Sequence, residues 1–313
     1  QTVILAAQYT QLCQPFRAPR GVGTSPAATI VTNSTADQKV SMMTLLSLSI
    51  NPQVLPTAMV LATLIGYALA SWLLHSSRVR GAAKWRFNAL LGATIVLHLI
   101  TAHQLLRGAG GLDLSLFKVL ALISAVVNLV VLTSALHKPI ENLYPLLLPA
   151  AALFLAAALL APAGVPLQLS VPLQGHIVIS LLAYSLLTVA ALQALLVAYQ
   201  DWQLHHKHQN ALMRRLPPLQ TMEALLFEFV WAGQLLLSLA LVSGFLYYED
   251  FFAQHLLHKV AFSIIAWLFF AVLLWGRHRR GWRGYTAVRL TWAGFAAIVL
   301  GYAGSKFVLE YLL

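Results

Sequence analysis

Eight apolar runs, each about as long as a bilayer is thick, constrain this chain more than any other feature. They fall at roughly 54–75, 87–106, 116–136, 143–161, 175–199, 225–248, 258–276 and 286–312. A helix rises about 1.5 Å per residue, so about 20 residues cross a hydrocarbon core. No water reaches that core, and a helix satisfies its backbone polar groups within a single segment. Most of the runs are apolar on every side, as suits helices that face lipid and one another. The expected fold is therefore all-α, a polytopic bundle of about eight transmembrane helices.

Composition agrees. Hydrophobic residues make up 59% of the 313 residues and charged residues 9%, too few to cover a soluble surface. The separators are short and carry Pro, Gly and charge, as in RGAGGLD (107–113), HKPIEN (137–142), APAGVP (161–166) and GRHRRGWRG (276–284). No long soluble segment and no repeat interrupts them, so residues 42–313 read as a single membrane domain. Residues 1–41 are rich in Gln, Thr, Ser, Ala and Pro. They read as a disordered extension or a mis-assigned start, because such a composition buries too little surface to fold.

The formal net charge is +11. In a soluble protein this would suggest nucleic acid, but here the basic residues sit in short loops, so no nucleic-acid partner is expected. Alternate loops hold Arg78, Arg80, Lys84, Arg86, Lys138, Lys207, Arg214, Arg215, Arg277, Arg279, Arg280 and Arg283. The opposite side holds Arg107, Lys118, Lys259 and Lys306. This asymmetry predicts that the first set lies in the cytoplasm and both termini lie outside.

Ionisable groups at membrane depth are costly, and each is a functional candidate. His98 lies eleven residues past Phe87, about 17 Å along its helix and near mid-membrane. It reads either as a ligand or as a neutral imidazole bonded to a backbone carbonyl or to Asn128. His103, about 140° further around the same helix, reads as interfacial. His176 opens the fifth span after Pro172 and Gly175, beside an aqueous loop. That position suits an imidazole reaching a surface cofactor, or a plain interfacial histidine. His255 and His258 precede the seventh span at i, i+3 spacing. The tract His205-His206-Lys207-His208 reads as a solvated basic loop. Glu228 invites a basic loop partner, and Lys306 with Glu310 forms an i, i+4 pair.

The single cysteine, Cys13, excludes a disulfide framework, a CxxC redox pair and a CxxCH haem attachment. There is no Ser/His/Asp spacing, no phosphate loop and no HExxH, so no enzymatic activity is assigned. A transporter reading is weakened by the lack of paired intramembrane carboxylates.

Four further segments narrow the choice. They are HKPIENLYPLLLP (137–149), GHIVISLLAYSLLTVAALQALLVAYQ (175–200), LPPLQTMEALLFEFVWAGQLLLSLALVSG (216–244), and HKVAFSIIAWLFFAVLLWGRHRRGWRG (258–284) followed by GFAAIVLGYAGS (294–305). In order and spacing they resemble the cytochrome c assembly family of haem-handling membrane proteins, closest to an inner-membrane branch of it. The resemblance covers roughly 55–310. It implies a multi-pass protein of the bacterial inner membrane that binds haem non-covalently and presents it near the outer face. It implies His176 as the outer axial ligand to haem iron and His98 as an intramembrane ligand. The family's other outer histidine has no counterpart in SKFVLEYLL (305–313), and His255 or His258, of which His258 is the candidate taken, is read as its substitute. An apocytochrome or another cytochrome assembly protein is the implied partner. The alternative is a non-catalytic membrane partner or regulator on the same fold that no longer binds haem. The loop FLYYEDFFAQHLL (245–257) has no tryptophan where the family carries a tryptophan-rich loop, and Trp275 stands at the family's second intramembrane histidine.

Overall fold

A computed structural model describes residues 54–76, 84–108, 110–162, 164–206, 216–247 and 254–311. The expectation for residues 1–41, Cys13 included, lies outside the described residues, as do Arg78, Arg80, Lys207, Arg214 and Arg215. The helices are α1 (Val54–His75), α2 (Lys84–Leu106), α3 (Leu116–Ala135), α4 (Tyr144–Leu160), α5 (Val171–His205), α6 (Leu219–Tyr247), α7 (Gln254–Arg280) and α8 (Tyr285–Val299). A π-helical turn, Leu300–Gly304, carries α8 into α9 (Ser305–Tyr311). Among the described residues, eight helical segments are long and apolar enough to cross a membrane, the last running from Tyr285 to Tyr311.

The helices pack as two groups of four. In the first, α1 meets α2, α2 meets α3, α3 meets α4, and α4 returns to α1. In the second, α5, α6, α7 and α8 form the same circuit, and α8 closes on α5. Packing of α3 on α5 joins the groups. One apolar core runs through both, with Tyr67, Leu91, Tyr144, Leu148, Leu187 and Phe270 fully buried. The outer faces expose Leu61, Ile65, Leu153, Val178, Val242 and Leu268, which in lipid lose nothing by facing outward. Small residues let helices approach: a Cβ on Gly233 of α6 would stand 2.6 Å from the Leu187 side chain of α5.

Several helices run past the expected apolar spans, most of all around 200–224. The 200–224 segment is not all loop, since α5 runs on to His205 and α6 begins at Leu219. Polar residues marked the limit of the apolar run, but a helix needs no apolar surface once it leaves the hydrocarbon. The separator 107–113 is also more ordered than a plain loop. Arg107–Gly108 (β1) and Gly111–Leu112 (β2) form a minimal antiparallel ribbon, and Leu112 exchanges backbone hydrogen bonds with Leu167, 2.9 Å each way. The connection from α2 to α3 is thereby tied to the one from α4 to α5.

Candidate functional site

His98 sits on the buried face of α2 with Phe87, Leu91, Thr94, Ile95 and Thr101, a three-to-four-residue repeat that turns one stripe inward. Its side chain is fully buried. Nδ1 lies 2.9 Å from the Tyr67 hydroxyl of α1, with the rings edge to face. The sequence pointed to Asn128 or a backbone carbonyl as the partner. Asn128 instead turns its amide back along α3, where Nδ2 donates to the Ser124 carbonyl at 2.8 Å. Tyr67 takes the place because α1 lies directly on α2.

The other ring nitrogen of His98, Nε2, is buried with no hydrogen-bond partner among the described residues. Buried polar atoms are rarely left so. When Nδ1–H donates to the Tyr67 oxygen, Nε2 presents its lone pair. A metal-binding imidazole has the same arrangement, with the second nitrogen held by a neighbour that fixes ring and tautomer. The polar groups beside it do not compete: Thr94 and Thr101 donate to carbonyls one turn back, at 2.8 and 2.7 Å. Replacing Tyr67 with phenylalanine should leave both nitrogens of a buried imidazole unpartnered. The expected loss is about 1–2 kcal/mol, the upper range for side-chain bonds between membrane helices. Unfolding in mixed micelles would measure it.

His176 lies in the second turn of α5, a helix that starts at Val171 with Pro172 in its first turn. It is half-buried against the end of α6. Nδ1 is 3.0 Å from the Ser243 hydroxyl, and the ring also hydrogen-bonds the Ala240 carbonyl. Ser243 itself donates to Ala240 at 3.0 Å. Gly244 permits the approach, because a Cβ there would stand 3.1 Å from the imidazole Cε1. One edge of the ring is thus held by α6 at the end of the helix pair.

The remaining histidines are dispersed. His258 is exposed near the start of α7 and His103 is exposed on α2. The side chain of His255 lies outside the described residues. His205 and His206 fold back on the carbonyls of Asp201 and Trp202, each at 2.8 Å. Among the described residues, no three His, Cys, Asp or Glu side chains gather to hold a metal ion. His98 and His176 belong to different helix groups, on α2 and α5.

Ion pairs define the two ends of the bundle. At one end Lys84 meets Glu141 at 2.5 Å and Lys138 meets Glu228, the basic partner expected for that carboxylate. At the same end buried Glu223 accepts from the Gly284 N–H at 2.8 Å and from Arg283 at 3.3 Å. At the other, Asp113 holds Lys118 and the Gly164 N–H, and Lys306 pairs with Glu310 at 3.0 Å. Glu310 also accepts from the Leu116 N–H at the start of α3, 2.8 Å away. His176 lies at this second end, just past the 161–170 connection. Tyr67, Ser243 and Glu223 were not singled out from the sequence. A hydroxyl or carboxylate in an apolar run is a usable signal, but its partner is not.

Fold and site together define a multi-pass α-helical membrane protein with one histidine buried inside one helix group and a second at the end of the other. The chain belongs to the cytochrome c assembly protein family, whose model matches residues 87–313. It is 33% identical over 258 residues to the inner membrane protein YpjD of Escherichia coli strain K12, covering 80% of this chain and 98% of that protein. It is also 33% identical over 201 residues to a 28.8 kDa protein of Azospirillum brasilense, covering 61% of this chain and 73% of the relative. No solved structure matches it.

Proposed function

We propose that this protein is an inner-membrane haem-binding factor of cytochrome c assembly that presents non-covalently held haem near the outer face. The observation that carries this reading is the His98 imidazole, buried with Nδ1 held by Tyr67 and Nε2 without a partner among the described residues. Isolated histidines suit haem better than a bare divalent ion, because the macrocycle brings its own four nitrogens and asks the protein for only one or two. Bound haem would supply an iron centre able to change oxidation state and to take an axial imidazole.

The chain's own residues would do the rest. His176 would hold the haem iron from the outer side, its ring set by Ser243, Ala240 and the bare backbone of Gly244. His98 is a second or transient ligand within the membrane, oriented by Tyr67. His258, exposed at the start of α7, assists from the outer side. Exposed Phe245 and Tyr247 at the end of α6 offer aromatic surface for a flat macrocycle. The orientation rests on charge: the end that carries Lys84, Lys138, Arg277, Arg279, Arg280 and Arg283 faces the cytoplasm, which puts His176 outside. The cargo's recipient is an apocytochrome or another assembly protein.

Protein purified in mild detergent from haem-replete cells should show a reducible Soret band and an α band at near-unit haem stoichiometry. His176→Ala should lose or shift those bands while insertion into the membrane is retained, and a reporter fused after Leu313 should be active only outside. A colourless protein that takes up no added haem would overturn the haem reading in favour of a scaffold or regulator. An unchanged spectrum in His176→Ala would remove that residue from the site.

A further inference from the structure

At the basic end of the bundle the start of α2, the connection between α3 and α4, and Pro217 ahead of α6 line an open-sided cavity of about 380 Å³. Its wall carries Lys84, His137, Lys138, Glu141 and Asn142. This composition is unlike the apolar body of the protein. Both side-chain polar atoms of Asn142 are buried and without a partner among the described residues. The neighbouring Pro217, which also lines the cavity, has its carbonyl held by Gln200 Nε2 at 3.0 Å, and the Gln200 Oε1 beyond is likewise buried and unpartnered. The Asn142 Nδ2 donor shares this wall with two lysine ammonium groups, a set of donors that suits an anion, while its Oδ1 calls for a donor such as a headgroup hydroxyl.

We propose that this cavity binds a phosphate group, at the depth where phospholipid headgroups lie. Lys84 and Lys138 are engaged by Glu141 and Glu228, but each ammonium carries three N–H donors and can serve a carboxylate and a phosphate together. Asn142 adds a neutral donor, and His137 stands exposed on the rim. Leu136 also lines the cavity while 59% exposed, and Trp85, next to Lys84, is 63% exposed. Leu136 thus gives the cavity an exposed apolar edge, along which an acyl chain would lie. Basic pockets between transmembrane helices recognise anionic headgroups in this way. Neither His98 nor His176 lines the cavity, so the proposal does not depend on haem.

The test titrates the detergent-purified protein with phosphatidylglycerol or phosphatidylcholine by native mass spectrometry, and with inorganic phosphate by thermal shift. Phosphatidylglycerol should bind more tightly than phosphatidylcholine. Lys138→Gln should weaken it about fivefold, the worth of one lysine near an anionic surface, and Asn142→Leu should weaken it as well. Phosphatidylcholine binding should not change in either. If inorganic phosphate stabilises the wild type and not the variants, a soluble phosphate ester is the ligand. If it does nothing while phosphatidylglycerol discriminates, the ligand is a lipid. Equal binding of the two lipids with no phosphate effect would overturn the site, and so would variants that keep the wild-type preference. Lys138 is exposed, so its variant carries the test even where Asn142→Leu folds poorly.

Discussion

Replacing Gly276 with alanine should destabilise this protein by about 1–3 kcal/mol or more, the cost of forcing an added methyl into filled space. The chain leaves α7 after Arg280, turns at Gly281 with φ near 66°, and brings Trp282 back over the helix. A Cβ on Gly276 would stand 2.1 Å from Cε3 and 2.4 Å from Cδ2 of that indole. These are atoms of a rigid ring, so the whole turn must move. The turn is tied down by the Trp282 N–H donating to the Gly276 carbonyl and by Arg277 donating to the Trp282 carbonyl, each at 3.3 Å. The guanidinium of Arg277 also lies 4.6 Å from the Phe227 ring of α6. Moving the turn therefore disturbs the packing of α7 on α6. Thermal unfolding in detergent should show a clear drop in Tm for Gly276→Ala, and a Tm equal to wild type would contradict the packing described.

Asp113→Asn should cost a comparable or larger amount, about 3–5 kcal/mol, because it breaks a buried ion pair on one side only. The Asp113 carboxylate is 4% exposed. It accepts from Lys118 Nζ at 2.5 Å, from the Gly164 N–H at 2.8 Å and from the Ser115 N–H at 3.0 Å. An amide of the same shape turns one acceptor into a donor and strands the Lys118 ammonium. Burial by itself pushes the Asp113 carboxyl upward, but Lys118 and the two backbone donors outweigh it and hold the group below its ordinary value. A lowered folded-state pKa adds stability that is complete above the ordinary carboxylate value, about 3.9, and is lost as pH falls through the folded value. Wild-type stability should therefore fall in acid below about pH 4, and Asp113→Asn should lose that part of the pH dependence. Unfolding midpoints taken across the acid range would check both. Identical profiles would mean that Asp113 does not clamp the connections at this end of the bundle.

The spans were legible because solvent dictates them. A run of about 20 apolar residues has one stable answer in a bilayer, and all eight appeared where the runs lie. Pairs one helical turn apart were legible for a similar reason, as Lys306 with Glu310 shows. Helix ends were less so. The extra turns of α5 and α6 are polar, and hydropathy marks the edge of the hydrocarbon rather than the end of hydrogen bonding.

The candidate site divides along the same line. His98 and His176 stood out as imidazoles in or beside apolar runs, so their identity and approximate depth followed from the residues alone. Their surroundings did not. Tyr67 is 31 residues from His98, Ser243 is 67 from His176, and Gly164 is 51 from Asp113. Helices that are apolar on every side carry no stripe that announces which face meets which neighbour. Most apolar pairings between such helices differ little in energy in lipid, where no hydrophobic force selects among them. Close fit at Gly233, Gly244 and Gly276, together with a few polar contacts, makes the selection. The apolar sequence by itself therefore determined a membrane bundle of eight spans and the positions of its histidines along them. The tertiary packing alone decided that His98 meets Tyr67, that His176 meets Ser243, and that the two lie in separate helix groups.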